Sequence, residues 1–392
     1  MKKVSAMRPS IGDTVSGSRQ RLRIMRRIST WTIVLVSLAS IFLLGVYIHP
    51  PRSSIACSVF SSGGCAVLEQ HPSQELIDDD DQIAARVVLK EILKIPPIQS
   101  KNPKIAFMFL ASGSLPFEEI WDNFFRGHEG RFSVYVHSSN EKPVHVSPYF
   151  EGRDIRSEKV VWGKISMVDA EKRLLENALL DPDNQQFVLL SESCIPLHGF
   201  QYVYHYLIYT NVSFIDCILD PGPNGVGRYS ERMFPEVKID DFRKASQWFS
   251  LKRQHAVMVI SDSFYYRKFS LYCRPNMDGQ YCFSDEHYFA TLFHMTDPAG
   301  ISNWSVTHVD WSEENWHPKT YMAPDVTHEL LKNIASLDES IKYTSEEKKR
   351  AMVTPCLWNG KKRPCFLFAR KFHPETLGKL MYIFSNPTSS TP

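Results

Sequence analysis

The chain has 392 residues, of which 43% are hydrophobic and 12% aromatic, so it can build one large domain or two ordinary ones around a substantial core. Its formal net charge is only +2, which gives no general attraction to nucleic acid. The order of charged and apolar segments along the chain therefore says more than the totals.

The N-terminus predicts a membrane anchor. Residues 1–27 carry eight basic side chains against one acid, Asp13, and residues 28–48 contain no charge. A helix needs about 20 apolar residues to cross a bilayer, and basic residues before it favour a cytosolic N-terminus. We predict a cytosolic tail (1–27), a transmembrane signal-anchor (28–48) and a luminal stem (49–100). A cleaved signal peptide is the alternative, but the exit "HPPR" lacks a small-residue cleavage site.

Residues 101–385 are predicted to form the luminal domain, followed by a tail, 386–392. Short, continuous apolar runs are typical of buried parallel strands, and they occur at 104–111, 132–137 and 186–191. Helical spacing occurs at 115–127, 166–180 and 200–209, and also in the stem at 81–95. Such alternation predicts an α/β fold, with a mainly parallel sheet flanked by helices and ligands at the carboxyl ends of strands.

The second half of the domain is richer in loops and aromatic residues. We predict helices at 240–251 and 345–353 and a strand at 255–261. Ser284 can cap a helix, which places Glu286 in the first turn of that helix. Asp285 is expected to help the cap, and His287 is expected to be structural.

The cysteines and glycosylation sequons agree with a luminal location. Cys273 and Cys282, and likewise Cys356 and Cys365, each enclose eight residues rich in turn formers, so each pair is a candidate for a local disulfide. Cys194 and Cys217 can pair or stay buried and free. The Asn-x-Ser sequons lie at Asn211 and Asn303.

A luminal α/β protein of this topology suggests a sugar-nucleotide transferase, in which a carboxylate pair that binds a metal would follow a buried strand. Asp181 and Asp183 precede the strand 186–191 and are interpreted as a polar turn, and only Glu192 follows that strand. The sequence therefore predicts no metal and no cofactor. Without a metal, arginine or lysine must stabilise the leaving diphosphate.

Candidate cations lie near the C-terminus, in the clusters Lys361–Arg363 and Arg370–Lys371, for which solvated patches are the alternative. An acid in the first turn of a helix commonly serves only the helix dipole. The same dipole would keep Glu286 ionised, so that it can accept a proton from an attacking hydroxyl. Other candidate ligand-binding residues, each with a structural alternative, are Arg228, Glu231, Arg232 and Trp248 for an acceptor sugar and His137 and Ser138 for a nucleotide.

Several stretches together resemble the plant branch of the core-2/I-branching β-1,6-N-acetylglucosaminyltransferase-like family. They include "KIAFMFLASGSLPFEEIW", "FVLLSESCIPL", "FSDEHYFATL" and "FARKFHPETL", and they extend through the whole predicted luminal domain. The resemblance implies a GT-A type nucleotide-sugar-binding fold, a UDP-sugar donor, a glycan or glycoprotein acceptor, and inversion at the anomeric carbon without a divalent metal. It also implies a single-pass type II protein of the Golgi membrane.

The resemblance assigns roles to individual residues. It implies that Glu286 is the catalytic base, that Lys371 and Arg363 bind the phosphates, and that Glu231 lies on the acceptor side. The animal members have His-Val-Asp near the uridine, where this chain has His137-Ser138-Ser139. The resemblance makes N-acetylglucosamine the expected donor sugar, and the altered nucleotide contact keeps glucuronic acid and xylose open as alternatives. A catalytically silent member that binds glycans or a partner, a secreted binding protein, and a homodimer or transferase complex also stay open.

Overall fold

The computed structural model describes residues 37–38, 40, 79–96, 100–277, 279–313 and 317–386. The predicted cytosolic tail, most of the predicted anchor and stem, and residues 387–392 lie outside the described residues. In the described part of the chain, no helix has both the length and the apolar character needed to span a membrane. The chain divides into two units, Met1–Ile77 and Asp78–Pro392, and the fold and the candidate site belong to the second.

The second unit is a mixture of strands and helices. The strands are β1 Lys104–Ala111, β2 Phe132–Ser138, β3 Asn184–Ser191, β4 Ile195–Pro196, β5 Ser213–Asp216, β6 Ser250–Lys252, β7 Pro275–Met277, β8 Gln280–Tyr281, β9 Ile301–Asn303, β10 Thr307–Val309, β11 Glu339–Tyr343, β12 Ala351–Pro355, β13 Leu357–Trp358, β14 Lys361–Lys362 and β15 Phe368–Arg370. The α-helices are α1 Asp79–Leu93, α2 Glu118–Phe125, α3 Ser166–Leu179, α4 Phe200–Ile208, α5 Arg253–Ser261, α6 Phe264–Tyr272, α7 Tyr288–Thr296, α8 His328–Ser336 and α9 Leu377–Ser385.

A six-stranded sheet with the strand order β2-β1-β3-β6-β5-β9 organises this unit. β1 pairs in parallel with β2 and β3, and β5 pairs in parallel with β9. β6 is antiparallel to both of its neighbours, β3 and β5. Every strand of this sheet except β6 therefore ends at the same side, which we call the carboxyl edge. The mixed α/β arrangement is consistent with the expected GT-A type fold.

The predicted strands of the first half are confirmed as β1, β2 and β3. β1 is buried almost throughout, and the Phe107 ring centroid lies 5.0 Å from that of Phe125 and 6.0 Å from that of Trp121, both on α2. Parallel strands that are covered on both faces lose their polar positions, which is why they appear as continuous apolar runs. The predicted helices of the first half and the helix α1 are likewise present. Ser166 begins α3 without capping it, because its hydroxyl accepts a hydrogen bond from the Val161 amide, which precedes the helix.

Residues 240–251 were predicted to be a helix, and this is wrong. After a short 3-10 turn at Ile239–Asp241, the chain is irregular until β6 begins at Ser250. The backbone amides of Ala245 and Ser246 donate to the Glu286 carbonyl and to the Asp216 carboxylate instead of to a helix of their own. These long-range partners replace the local hydrogen bonds that a helix needs.

The other two predictions for the second half are also wrong. Residues 255–261 form most of helix α5 rather than a strand. This helix packs against α3, and the side chains of His255, Met258 and Val259 are buried. Tertiary packing here overrides the β-branched composition. Residues 345–353, predicted as a helix, form the loop and second strand of the hairpin β11–β12, which pairs from Glu339↔Pro355 to Tyr343↔Ala351.

Candidate active site

Glu286 closes a 3-10 turn, Ser284–Glu286, that stands before His287 and α7. The prediction that Ser284 caps α7 is wrong, because its hydroxyl donates a hydrogen bond to the Cys273 carbonyl at 2.9 Å. On the other side, the Ala245 amide donates to the Glu286 carbonyl at 2.7 Å. The turn is therefore held from two sides, while the Glu286 side chain keeps 26% of its surface exposed.

An ion pair orients the Glu286 carboxylate. Nη1 of Arg228 lies 2.6 Å from Oε2 of Glu286, and the Arg228 guanidinium stacks over the Phe283 ring at 4.6 Å. Within the described residues, Oε1 of Glu286 has no hydrogen-bond partner. The ion pair therefore fixes the orientation of the carboxylate and leaves Oε1 able to accept a proton. The sequence separation of 58 between the two partners explains why the pairing cannot be recognised from the sequence.

Asp216, the last residue of β5, connects the Glu286 turn to the carboxyl edge. Oδ2 of Asp216 accepts a hydrogen bond from the Ser246 amide at 3.3 Å and lies 3.1 Å from Nζ of Lys342 on β11. Since Ser246 directly follows Ala245, whose amide binds Glu286, the turn lies beside the carboxyl edge. This is where ligands bind in open α/β sheets.

A second cation, Lys244, lies near Glu286. Its Nζ is 3.8 Å from Oδ2 of the buried Asp220, and burial lowers the pKa of Lys244 while the neighbouring Glu286 raises it. Asp220 also accepts hydrogen bonds from the backbone amide of Ser345 at 2.9 Å and from its hydroxyl at 2.8 Å. The loop of the β11–β12 hairpin is thereby attached beside the site.

The carboxylates of the described residues do not form a metal centre: no group of three or more His, Cys, Asp or Glu in these ranges could hold an ion. Asp181 and Asp183 lie in the turn before β3, as interpreted from the sequence, where Oδ2 of Asp181 is 2.9 Å from Nζ of Lys104. This turn is at the opposite edge of the sheet from Glu286. Metal independence stays a prediction.

Arg370 and Lys371 lie at the carboxyl edge. The Arg370 guanidinium stacks 4.2 Å over the ring of Trp248, two residues before β6, and its Nε is buried without a partner among the described residues. Burial lowers the pKa of Arg370, and the nearby Cys194 and Glu192 raise it. Within the described chain, the Lys371 ammonium has no hydrogen-bond partner. Two cations therefore stand where β3 ends and β6 begins. Trp248 is only 5% exposed, so its ring is packed in the interior and does not present a face on which an acceptor sugar could stack.

Arg363, the other predicted phosphate ligand, lies elsewhere. Its guanidinium stacks 3.5 Å over Tyr206 and 5.2 Å from the Trp358 ring centroid, and its Nη1 donates to Oγ1 of Thr210 at 3.3 Å. Thr210 precedes β5 and so lies at the edge of the sheet opposite the carboxyl edge. The structure does not bring Arg363 together with Lys371 or Glu286.

The remaining predicted ligand-binding residues occupy two places. His137 and Ser138 end β2 at the carboxyl edge, where burial lowers the pKa of His137 to about 4 and its Nε2 accepts a hydrogen bond from the Glu158 amide at 3.3 Å. The Ser138 amide donates to Oγ of Ser157 at 3.0 Å.

Glu231 and Arg232 are exposed in a 3-10 turn shortly after Arg228. His287 is structural, as expected, since its buried Nδ1 donates to the Arg243 carbonyl.

Both candidate disulfides are present. Cys273–Cys282 encloses the β7–β8 hairpin directly before the Glu286 turn, and Cys356–Cys365 encloses the β13–β14 hairpin. Cys194 is buried and Cys217 half-buried, and neither forms a disulfide.

Removal of the Cys273–Cys282 disulfide by double substitution with serine should lower both stability and activity. The sequence separation is 9 in both disulfides, so each double variant should lose about 2–3 kcal/mol of unfolding free energy. Only the first bond holds Cys273, whose carbonyl binds Ser284, so only its loss should also reduce the kcat of a reaction that uses Glu286, by roughly tenfold or more. Denaturant unfolding and initial rates measure the two effects. Equal kcat in the two double variants would contradict this role.

Comparison with known proteins adds two findings. The family model described as Branch, Core-2/I-Branching enzyme, matches residues 105–335, which include Arg228 and Glu286. The chain is 38% identical over 312 residues to a protein of Oryza sativa subsp. japonica named Glycosyltransferase BC10, an alignment that covers 70% of this chain and 75% of the rice protein.

Proposed function

The chain belongs to the Core-2/I-branching enzyme family and is a glycosyltransferase, and we propose that it transfers N-acetylglucosamine from UDP-N-acetylglucosamine to a hydroxyl group of a glycan. UDP-glucuronic acid and UDP-xylose are the alternative donors. The observation that carries the proposal is the Glu286 carboxylate beside the carboxyl edge, with Oε2 bound to Arg228 and Oε1 free to accept a proton. The named rice relative is itself a glycosyltransferase, which supports catalysis rather than binding alone.

In the proposed mechanism, Glu286 is the general base. Oε1 takes the proton of an acceptor hydroxyl as its oxygen attacks the anomeric carbon of the donor sugar. The bond between that carbon and the diphosphate oxygen breaks, and its electron pair leaves with UDP. Attack in line with the leaving group inverts the configuration, so an α-linked donor gives a β-linked product.

The leaving diphosphate needs cations, and we assign this role to Lys371 and Arg370. Both stand at the carboxyl edge, and Arg370 has a buried Nε with no partner among the described residues. Charge-assisted hydrogen bonds to phosphate oxygens would satisfy this group and stabilise the charge that develops on UDP. Glu231 and Arg232 remain the proposed acceptor-side residues, because they are exposed and close in sequence to Arg228.

The decisive experiment is transfer by the purified full chain across a panel of UDP-sugars and glycan acceptors, with products identified by mass spectrometry. Transfer from UDP-N-acetylglucosamine in preference to the other donors is the expected result. Preference for UDP-glucuronic acid or UDP-xylose would replace the donor assignment. UDP binding without turnover on any acceptor would instead favour the silent, glycan-binding alternative.

Activity should be unchanged by excess EDTA. Cationic side chains at the carboxyl edge are proposed to stabilise the diphosphate in place of a metal ion, so chelation removes nothing that the reaction needs. Initial rates with EDTA, with added Mn²⁺ and with neither should agree. A strict requirement for Mn²⁺ would overturn the metal-independent mechanism.

We further propose that the enzyme is a type II protein of the Golgi membrane with a luminal catalytic domain. The charge-free segment 28–48 after a basic tail, the two disulfides and the exposed sequons at Asn211 and Asn303 support this topology. Mass analysis of the mature N-terminus tests it, since an intact N-terminus is expected. Cleavage after the apolar segment would favour the secreted alternative.

A further inference from the structure

A second carboxyl group, that of Glu171, lies beneath the Glu286 turn. Glu171 is on α3, which packs against Ser284–Glu286, and it is completely buried. Its Oε1 accepts a hydrogen bond from Nε2 of Gln247 at 2.8 Å, whereas its Oε2 is buried without a partner among the described residues. Asp285 is 8% exposed, and its Oδ1 is likewise buried and unpartnered. Two packed elements thus each present one unsatisfied carboxyl oxygen.

The electrostatics of the two groups are coupled. Burial and the neighbouring Asp285 raise the pKa of Glu171 well above its usual value, and Asp169 on the same helix raises it further. Burial and Glu286 raise the pKa of Asp285 to about 7, while Arg228 lowers it. Two adjacent buried carboxylates cannot both be ionised without a large cost, so one of them must hold a proton.

We propose that Glu171 is protonated on Oε2 and donates a hydrogen bond to Oδ1 of Asp285, and that it thereby positions the turn that carries Glu286. The proton belongs on Oε2 because Oε1 already accepts from Gln247. Both unsatisfied oxygens then gain a partner, which removes the cost of leaving them buried and unpaired. Glu171 is a positioning residue, and this inference rests on the proposed role of Glu286 as base.

The raised pKa of Asp285, caused by burial and by Glu286, makes the stability of the domain depend on pH. The pKa of Asp285 rises from its ordinary 3.8 to about 7 on folding, so between these values the folded chain binds a proton that the unfolded chain has released. The free energy of unfolding therefore falls as the pH rises through this window. Above it, the ionised Asp285 lies beside Glu286, and the Glu171 hydrogen bond and the Arg228 charge offset the repulsion between the two carboxylates.

Substitutions at both positions test the proposal on the full chain. Glu171→Met removes the donor and should lower kcat at least tenfold with the affinity for UDP unchanged, whereas Glu171→Gln keeps an acceptor and a donor and should restore most of the lost kcat. Asp285→Asn cannot ionise, so it should reduce the fall in Tm between pH 4 and pH 7. At a pH above the Asp285 pKa of about 7, where Asp285 is ionised, infrared spectroscopy should show a band of a buried protonated carboxyl that Glu171→Gln removes.

The outcomes separate this inference from the function on which it rests. Loss of kcat in Glu171→Gln equal to that in Glu171→Met would overturn a neutral Glu171, as would an unchanged infrared band. An Asp285→Asn variant whose Tm keeps the full pH dependence of the wild type would show that Asp285 does not titrate in this window, and would overturn its place in the buried pair. The Tm and infrared measurements need no sugar transfer, so they test the pair even if the proposed reaction is wrong.

Discussion

Glu286→Gln is expected to lower kcat for sugar transfer by about 10²- to 10⁴-fold, the usual contribution of a general base, while leaving the affinity for UDP unchanged. The amide keeps the size of the side chain and can still contact Arg228, but it cannot take a proton from the acceptor hydroxyl. The loss should therefore appear in the chemical step alone. Single-turnover rates with saturating donor, together with calorimetric UDP binding, measure the two quantities.

Glu151→Gln is the matched control, since this glutamate is exposed and lies outside the site. It undergoes the same chemical change and should keep the wild-type rate. Wild-type activity in Glu286→Gln would remove Glu286 from the role of base. Loss of UDP affinity in that variant would instead indicate a binding role.

Arg370→Gln is expected to weaken UDP binding by roughly 10- to 100-fold, because a charge-assisted hydrogen bond contributes about 1.5–3 kcal/mol. The affinity for uridine, which has no diphosphate, should not change. Titration calorimetry with both ligands isolates the phosphate contribution. Melting temperatures are needed alongside, because Arg370 also stacks on the buried Trp248.

The same change at Arg363 is the control. Arg363 stacks on Tyr206 and binds Thr210, which lies at the edge of the sheet opposite the carboxyl edge. Arg363→Gln should therefore lower Tm and leave UDP binding intact. Weakened UDP binding in Arg363→Gln together with normal binding in Arg370→Gln would reverse the assignment. Arg363, which the resemblance implies as a phosphate ligand, would then take the role assigned to Arg370.

The first half of the fold could be predicted because its signals are local. β1 and β3 are covered on both faces, so burial appears directly as unbroken apolar runs. The second half could not be predicted in this way. The backbone of residues 245–246 binds Glu286 and Asp216, and the helix α5 depends on its packing against α3. Partners so distant in sequence leave no periodic pattern.

The candidate site was predictable only in part. Glu286 and Lys371 belong to recognisable motifs, whereas the ion pair of Glu286 with Arg228 and the stacking of Arg370 on Trp248 arise only from the fold. Glu171, by contrast, does have a local signal in the sequence. It lies three residues before Leu174 on the apolar face of α3, where an acid must be buried and therefore needs a partner.

The place of β6 in the sheet has a consequence for biogenesis. β6 separates β3 from β5 and is the last but one of the six strands to be synthesised, so β5 and β9 cannot join the sheet until residue 252 has entered the compartment where folding occurs. We expect β1, β2 and β3 to associate while the remainder of the chain is still being made. A chain stopped before Ser250 would expose the free edge of β3, an apolar strand of the kind that chaperones retain.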